Sequence, residues 1–146
     1  MGHGLSYTTF EYSQLAVAAH VPPGGGAVNT SYTLSVRVTN TGAAAAAETV
    51  LFLHELWLSR VVRWERQLSG FTKVRLRPGE SAVAAAAVER SQLAIWLEPG
   101  AGAAAAPSLA AGQPQAGGWW VEPGNYTLSA CASTVDCRLT VGFEVQ

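Results

Sequence analysis

The side chains that commonly carry catalysis are few and scattered in this sequence. Asp136 is the only aspartate among ten acidic residues, and the glutamates stand mostly beside turns or alternate out of strands. We therefore expect solvated surface carboxylates and no catalytic pair. The sequence also lacks a G-x-S-x-G string and a glycine-rich phosphate loop. His3, His20 and His54 lack metal-ligand spacing, so we expect no metal ion and no cofactor.

The tryptophans offer a different chemistry, because the flat face of an indole suits the apolar face of a sugar ring. Trp57, Trp64, Trp119 and Trp120 are the candidates for such a stacking surface. Aromatic side chains also supply much of the buried area of cores and interfaces. Packing, in the core or against another domain, is the better explanation. The arginines beside Trp57 and Trp64 support this explanation, because their guanidinium groups can stack on the indoles.

The two cysteines, Cys131 and Cys137, leave two alternatives open. In the predicted strands Ala130 faces inward, which leaves Cys131 on the other face, whereas the inward Leu139 puts Cys137 inward too. Sulfur atoms on opposite faces favour free thiols. A bulge that shifts the register would instead allow a disulfide.

Two N-glycosylation sequons are present. They are Asn29-Thr30-Ser31 and Asn125-Tyr126-Thr127. If the protein is exported, Asn29 in its loop is the better acceptor, and Asn125 in a turn is the second candidate.

Composition and length predict one domain without nucleic-acid or membrane partners. The chain has 146 residues, of which 13% are charged, and a formal net charge of -1. It therefore has no basic surface for nucleic acid or anionic lipid. The apolar runs are short or interrupted by Gly and Pro, so we expect no transmembrane helix, and the first seven residues do not resemble a signal peptide.

Alternation of apolar and polar residues predicts strands along the chain. It is regular in 33–40, which ends at the turn signal Asn40-Thr41-Gly42. The other predicted strands are near 8–18 and at 48–56, 73–77, 81–89, 126–132 and 137–145. About seven strands separated by turns predict an all-β fold, an immunoglobulin-like antiparallel β-sandwich. Residues 99–118, rich in Ala, Gly and Pro, are expected to form a mobile loop insertion.

Five strings, in order along the chain, resemble motifs of family 3 glycoside hydrolases. They are GHGLSYTTF at 2–10, VTNTG at 38–42, QLSGFTKV at 67–74, LRPGES at 76–81 and VEPGNYT at 121–127. The first resembles the junction at which an α/β-sandwich domain passes into the C-terminal fibronectin type III-like domain. The other four resemble segments of that domain. The chain is thus similar to this domain over nearly its whole length, residues 1–146, with 1–10 as the junction to a missing catalytic region.

The resemblance implies a non-catalytic domain that stabilises the catalytic domains of a β-glucosidase or β-xylosidase acting in polysaccharide breakdown. A retaining glycosidase needs two carboxylates about 5–5.5 Å apart. In this family they come from the other domains, so we expect no enzyme activity from the chain alone. The resemblance also implies an extracellular parent protein.

The surface that would contact the catalytic domains can also be predicted. Leu5 and Tyr7 belong to the junction, and Leu51 and Leu53 lie on the second apolar face of the strand at 48–56. Without its partner, the domain is expected to expose an apolar patch there. The alternative is a free-standing module that binds an oligosaccharide or a protein.

Overall fold

Two antiparallel sheets make up most of the computed structural model, which describes residues 6–26, 29–99 and 117–146. The first sheet joins β1 (Phe10–His20), β2 (Ser31–Asn40) and β5 (Ser81–Glu89) in the order β1-β2-β5. The second sheet joins β3 (Ala46–Glu55), β4 (Gln67–Leu76), β8 (Gly124–Cys131) and β9 (Cys137–Val145) in the order β4-β3-β8-β9. A small third sheet pairs β6 (Ile95–Leu97) with β7 (Gly118–Trp120), after a 3-10 helix at Arg90–Leu93.

The predicted all-β sandwich is confirmed, and each predicted strand lies on one of the seven long strands. The small sheet was not predicted, because its strands have three residues each and show no alternation. Strand β4 begins six residues before its predicted start at 73, where Ser69 and Gly70 interrupt the pattern. The proposed loop insertion at 99–118 lies mostly outside the described residues, as does the beginning of the junction segment.

The core lies between the two large sheets, where the alternating side chains of each strand face inward. Strand β2 buries every second residue from Tyr32 to Asn40. The facing sheet contributes Val50 and Phe52 of β3, together with inward residues of β8 and β9. Burial of each large apolar side chain contributes about 1.5–3 kcal/mol, so this alternation accounts for the sandwich arrangement.

Asn40 organises the end of the sandwich at which the chain enters β1. Its buried amide Nδ2 donates hydrogen bonds to the carbonyl oxygens of Ala44 (2.8 Å) and Leu76 (3.0 Å). Its Oδ1 accepts from Thr8 Oγ1 (2.7 Å) and from the backbone N–H of Gly42 (3.1 Å). A Cβ atom at residue 42 would collide with Thr8, so glycine is required there. The turn at Asn40-Thr41-Gly42 therefore contacts Thr8, at the start of the T-T-F string.

A bulge in the β8–β9 pair decides the state of the two cysteines. Ala130 lies opposite Leu139 and Cys131 lies opposite Cys137, so Arg138 is an additional residue on β9. It reverses the direction of Cys137, and the structure joins the two cysteines in a disulfide. The sequence argument that favoured free thiols assumed unbroken alternation, which fails at this bulge.

The outer face of the second sheet differs from its prediction. Leu53 is only 5% exposed and Leu51 is half-buried, so they do not form an exposed patch. Leu53 lies between its cross-strand partners Leu68 of β4 and Ser129 of β8, and Leu51 has neighbours on the same two strands, so adjacent side chains flank both leucines.

The exposed apolar residues of this face belong instead to the edge strand β4. Leu68 lies opposite Leu53, and Phe71 lies opposite Leu51. Both Leu68 and Phe71 are exposed.

Candidate docking loop at the far end of the sandwich

The loop between β3 and β4, residues 56–66, carries a dense group of exposed apolar side chains, and we call it the docking loop. Trp57 is 78% exposed and Trp64 is 80% exposed. Leu58 and Val62 between them are also exposed. The loop follows the end of β3 that is remote from Asn40, so it lies at the opposite end of the sandwich from the entry into β1. Exposed apolar groups of this size mark contact surfaces in soluble proteins.

The carboxylate of Glu122 holds this loop against the body of the domain. Oε2 accepts a hydrogen bond from Ser59 Oγ, and Oε1 accepts one from the backbone N–H of Arg60, each at 2.7 Å. Arg63 Nη1 lies 3.9 Å from Oε2, and both charged side chains are almost entirely buried. The expectation that all carboxylates are solvated is therefore wrong for Glu122. Its place beside Pro123 indicates an exposed turn, and nothing local shows that a distant loop supplies its donors.

Arg63 extends the same network into the second sheet. Its Nη1 donates to Tyr126 Oη (3.3 Å) and its Nη2 donates to Gln67 Oε1 (2.8 Å). The guanidinium carbon lies 5.6 Å from the centre of the Tyr126 ring, so this arginine stacks on a tyrosine. The predicted partner was an indole. Tyr126 Oη in turn donates to the carbonyl oxygen of Glu122 (2.8 Å), a contact typical of immunoglobulin-like sandwiches. Burial raises the pKa of Tyr126, which keeps its hydroxyl group a donor.

His54 completes the network inside the sandwich. Its Nε2 lies 3.2 Å from Gln67 Oε1 and its Nδ1 lies 2.8 Å from Ser69 Oγ. Burial, with a smaller contribution from the charge of Arg63, lowers the pKa of His54 to about 4. The ring is therefore neutral at pH 7. Because Gln67 Oε1 can only accept, Nε2 carries the proton and Nδ1 accepts from the Ser69 hydroxyl group.

A cavity of about 320 Å³ opens between the two exposed indoles of the loop. Its lining includes Glu55, Trp57, Arg63 and Trp64. Trp57 Nε1 donates to Glu55 Oε1 at 2.7 Å, which fixes the orientation of that indole. The cavity is thus lined by both apolar and charged side chains, and hydrogen bonds of Trp57 and Ser59 hold part of its wall in place.

The remaining predicted site residues lie elsewhere. Trp119 is exposed on the small sheet, whereas Trp120 is 7% exposed and cannot offer a stacking face. Tyr7 is fully exposed near the entry into β1, and Leu5 lies outside the described residues. Asn29 and Asn125 are both exposed.

Sequence reasoning missed several residues that now belong to the candidate site. They are Glu122, Arg63, His54, Leu58 and Val62. The E-P-G-x-Y-T string contained Glu122 and Tyr126, but did not show their hydrogen bonds.

Two negative findings apply to the described residues. Within ranges 6–26, 29–99 and 117–146, no group of three or more His, Cys, Asp or Glu side chains could hold a metal ion. In the same ranges, no helix is long and apolar enough to cross a membrane.

The two sheets, their strand order and the contact between Tyr126 and Glu122 define an immunoglobulin-like β-sandwich domain. Residues 49–134, more than half of the chain, match the family described as "fibronectin type III-like domain", and the chain belongs to this family. The resemblance found in the sequence is thereby confirmed.

Known relatives show the setting in which this domain occurs. A probable β-glucosidase I from Aspergillus terreus is 36% identical over 99% of this chain, which spans 16% of that protein. An exo-α-(1->6)-L-arabinopyranosidase from Bifidobacterium breve is 34% identical over 96% of the chain, again 16% of the relative. The structure of a GH3 β-glucosidase from Bifidobacterium adolescentis matches with a TM-score of 0.75 and 30% identity, over 99% of this chain and 18% of that one. The chain is a fibronectin type III-like domain of the type found in GH3 β-glucosidases.

Proposed function

We propose that this domain is a non-catalytic part of a family 3 glycosidase and packs against the catalytic domains through the docking loop. The observation that carries the proposal is that Trp57 and Trp64, both highly exposed, stand on a loop fixed by the buried carboxylate of Glu122. The relatives support it, because the chain spans only 16–18% of proteins in which further domains are present.

The rigidity of the loop favours a docking role. Binding costs free energy when side chains and loops must first be ordered. Here Ser59, Arg60 and Arg63 are already tied to Glu122, so the loop has its final shape before any partner arrives. Tryptophan is also the residue type most enriched among side chains that dominate interfaces. A fixed pair of exposed indoles is therefore suited to a permanent contact.

A second contact area supports the same partner. Tyr7 is exposed where the chain enters the sandwich, and Leu51 borders the exposed Phe71 and Leu68 on the outer face. Together with the more deeply buried Leu53, which lies opposite Leu68, these residues extend the proposed interface along the second sheet. Leu5 of the junction segment belongs to the same proposed contact.

The proposal includes that the domain alone does not hydrolyse glycosides. Glu122 already accepts two hydrogen bonds, pairs with Arg63 and is almost entirely buried, so it is not available as a general acid or base. Pure domain should therefore leave aryl β-glucosides and aryl β-xylosides uncleaved. Turnover that copurifies with the folded domain and disappears with it would contradict this part.

The docking role is tested by recombining separated parts. The catalytic region of the parent chain and this domain are expressed separately, mixed, and examined by calorimetry and size-exclusion chromatography. We expect a complex that Trp64→Ala or Trp57→Ala weakens at least tenfold, equivalent to more than about 1.4 kcal/mol. Trp119→Ala is the matched control, an exposed indole outside the loop. Equal affinity of Trp64→Ala and wild type would show that the loop is not the interface.

We further propose that the parent protein is exported. The disulfide between Cys131 and Cys137 and the exposure of both sequon asparagines support this location. Secretion of the parent from a eukaryotic host, followed by enzymatic removal of N-glycans, should reveal sugar on Asn29 or Asn125. A parent that stays inside its native cells would refute the proposal.

A further inference from the structure

The small sheet presents two tryptophans side by side in water. Trp96 of β6 and Trp119 of β7 are cross-strand partners, with ring centres 5.7 Å apart and an angle of 76° between the ring planes. Their exposed fractions are 54% and 71%. We call this pair the indole corner, since one ring stands nearly upright beside the other.

The indole corner is held in a fixed position. The residues that follow the two tryptophans, Leu97 and Trp120, are buried and attach both strands to the domain. Leu93 of the preceding 3-10 helix is buried as well. Neither indole N–H of the corner donates a hydrogen bond within the described part of the chain. The small sheet thus presents two aromatic faces and two indole N–H groups that donate to no described residue.

The surroundings of the corner differ from those of the docking loop. The docking loop exposes Leu58 and Val62 beside its indoles, as expected for the apolar centre of a protein interface. The described residues that follow β6, Glu98 and Pro99, are exposed, whereas the aliphatic residues Ile95 and Leu97 are half-buried and buried. Two indoles beside an exposed carboxylate, with no exposed aliphatic side chain on either strand, differ from the apolar centre of a protein interface. They fit a ligand that alternates C–H and O–H groups.

We propose that the indole corner binds pyranose rings of a β-linked oligosaccharide. In β-glucosyl and β-xylosyl units the ring substituents are equatorial, so the axial C–H groups form an apolar face that can stack on Trp119 or Trp96. Hydroxyl groups at the ring edge then accept from the indole N–H groups and donate to the carboxylate of Glu98. This function goes beyond docking, because it needs no contact with a catalytic domain.

The experiment uses the intact chain and follows its five indole N–H signals by NMR. Cellotetraose and xylotetraose are added to millimolar concentration. We expect two indole signals, assigned to Trp96 and Trp119 by substitution, to shift with a millimolar dissociation constant. Trp119→Leu and Trp96→Leu keep an apolar cross-strand contact but lose the flat face, and each should weaken binding at least tenfold. Trp57→Leu is the matched control and should bind as wild type does.

Three outcomes would overturn the proposal. The first is the absence of any indole shift in the wild-type protein. The second is unchanged binding by Trp119→Leu whose unfolding midpoint shows that it is folded, which would leave the pair a purely structural clamp of the small sheet. The third is a shift confined to the indoles of the docking loop. Since no catalytic region is present in this experiment, its failure does not depend on the docking proposal.

Discussion

Glu122 and Arg63 form a buried ion pair with 3.9 Å between Oε2 and Nη1, although neither residue lies in a long strand. The pair joins the docking loop to the start of β8. Water is almost excluded from both side chains, so each charge depends on the other and on the neutral donors around it. The shape of the exposed surface thus depends on a contact below it.

Glu122→Ala should therefore lower the free energy of unfolding strongly. Removal of one partner of a buried ion pair leaves the other charge without compensation and typically costs 3–5 kcal/mol. Urea unfolding measures the change, and the variant should also be cut faster by trypsin at Arg60 as the loop detaches. Glu98→Ala, an exposed carboxylate on the small sheet, is the control and should change stability by less than about 0.5 kcal/mol. Equal stabilities of the two variants would refute a structural role for the pair.

Asn40→Ala should destabilise the opposite end of the sandwich. It removes the side-chain amide that donates to the carbonyl oxygens of Ala44 and Leu76, and each unsatisfied buried group costs about 1–3 kcal/mol. Asn40→Asp should be similarly harmful, because a carboxylate would face these two carbonyl oxygens. The control is Asn125→Ala at an exposed position. Equal melting temperatures for Asn40→Ala and this control would contradict the structural role of Asn40.

Local sequence patterns predicted the sandwich, because the features that build it are local. Alternation in β2 follows directly from burial of one face, and the turn strings stand where the strands end. The burial of Leu53 on the outer face depended on its neighbours in β4 and β8, which are distant in the sequence. Burial of Glu122 depended on donors 62 and 63 residues away. Contacts across such separations leave no periodic signal in the sequence.

The bulge at Arg138 is a second feature that local sequence patterns do not predict, and it determines which face of the sheet a side chain occupies. One extra residue exchanges the faces of all positions beyond it, and the composition of β9 does not mark where it occurs. The core side of β9 was predicted correctly from Leu139 onward, since the residues there pack against the core. Only Cys137, on the far side of the bulge, was placed on the wrong face.

Loss of the disulfide should cost the domain about 2 kcal/mol, as expected for closing a short loop in the unfolded chain. The double variant Cys131→Ala/Cys137→Ala tests this by urea unfolding. Wild-type protein that is denatured without reductant should have no free thiol that reacts with a thiol reagent. Reduction should lower the unfolding midpoint of the wild type and leave that of the double variant unchanged. Two reactive thiols in protein purified from an oxidising compartment would show that the pair does not form.

Because His54 is neutral in the folded protein, the stability of the domain should decrease in acid. Burial lowers the pKa of His54 from 6.5 to about 4 in the folded protein. Between these two values the unfolded chain binds a proton that the folded protein does not, so stability decreases as pH falls through this window. The loss is on the order of 3 kcal/mol when both states are protonated. Above pH 6.5 the ring is neutral in both states and the full stability is present.

His54→Gln tests this prediction because glutamine is polar and does not titrate. Urea unfolding of the variant from neutral pH down to about 4 should show a smaller loss of stability than the wild type, even if the variant starts from a lower value. The difference between the two slopes isolates the proton taken up by His54 on unfolding. Parallel slopes would show that the acid sensitivity comes from other groups. The same comparison, made by tryptophan fluorescence, should show the docking loop losing its ordered environment as His54 becomes charged beside Arg63.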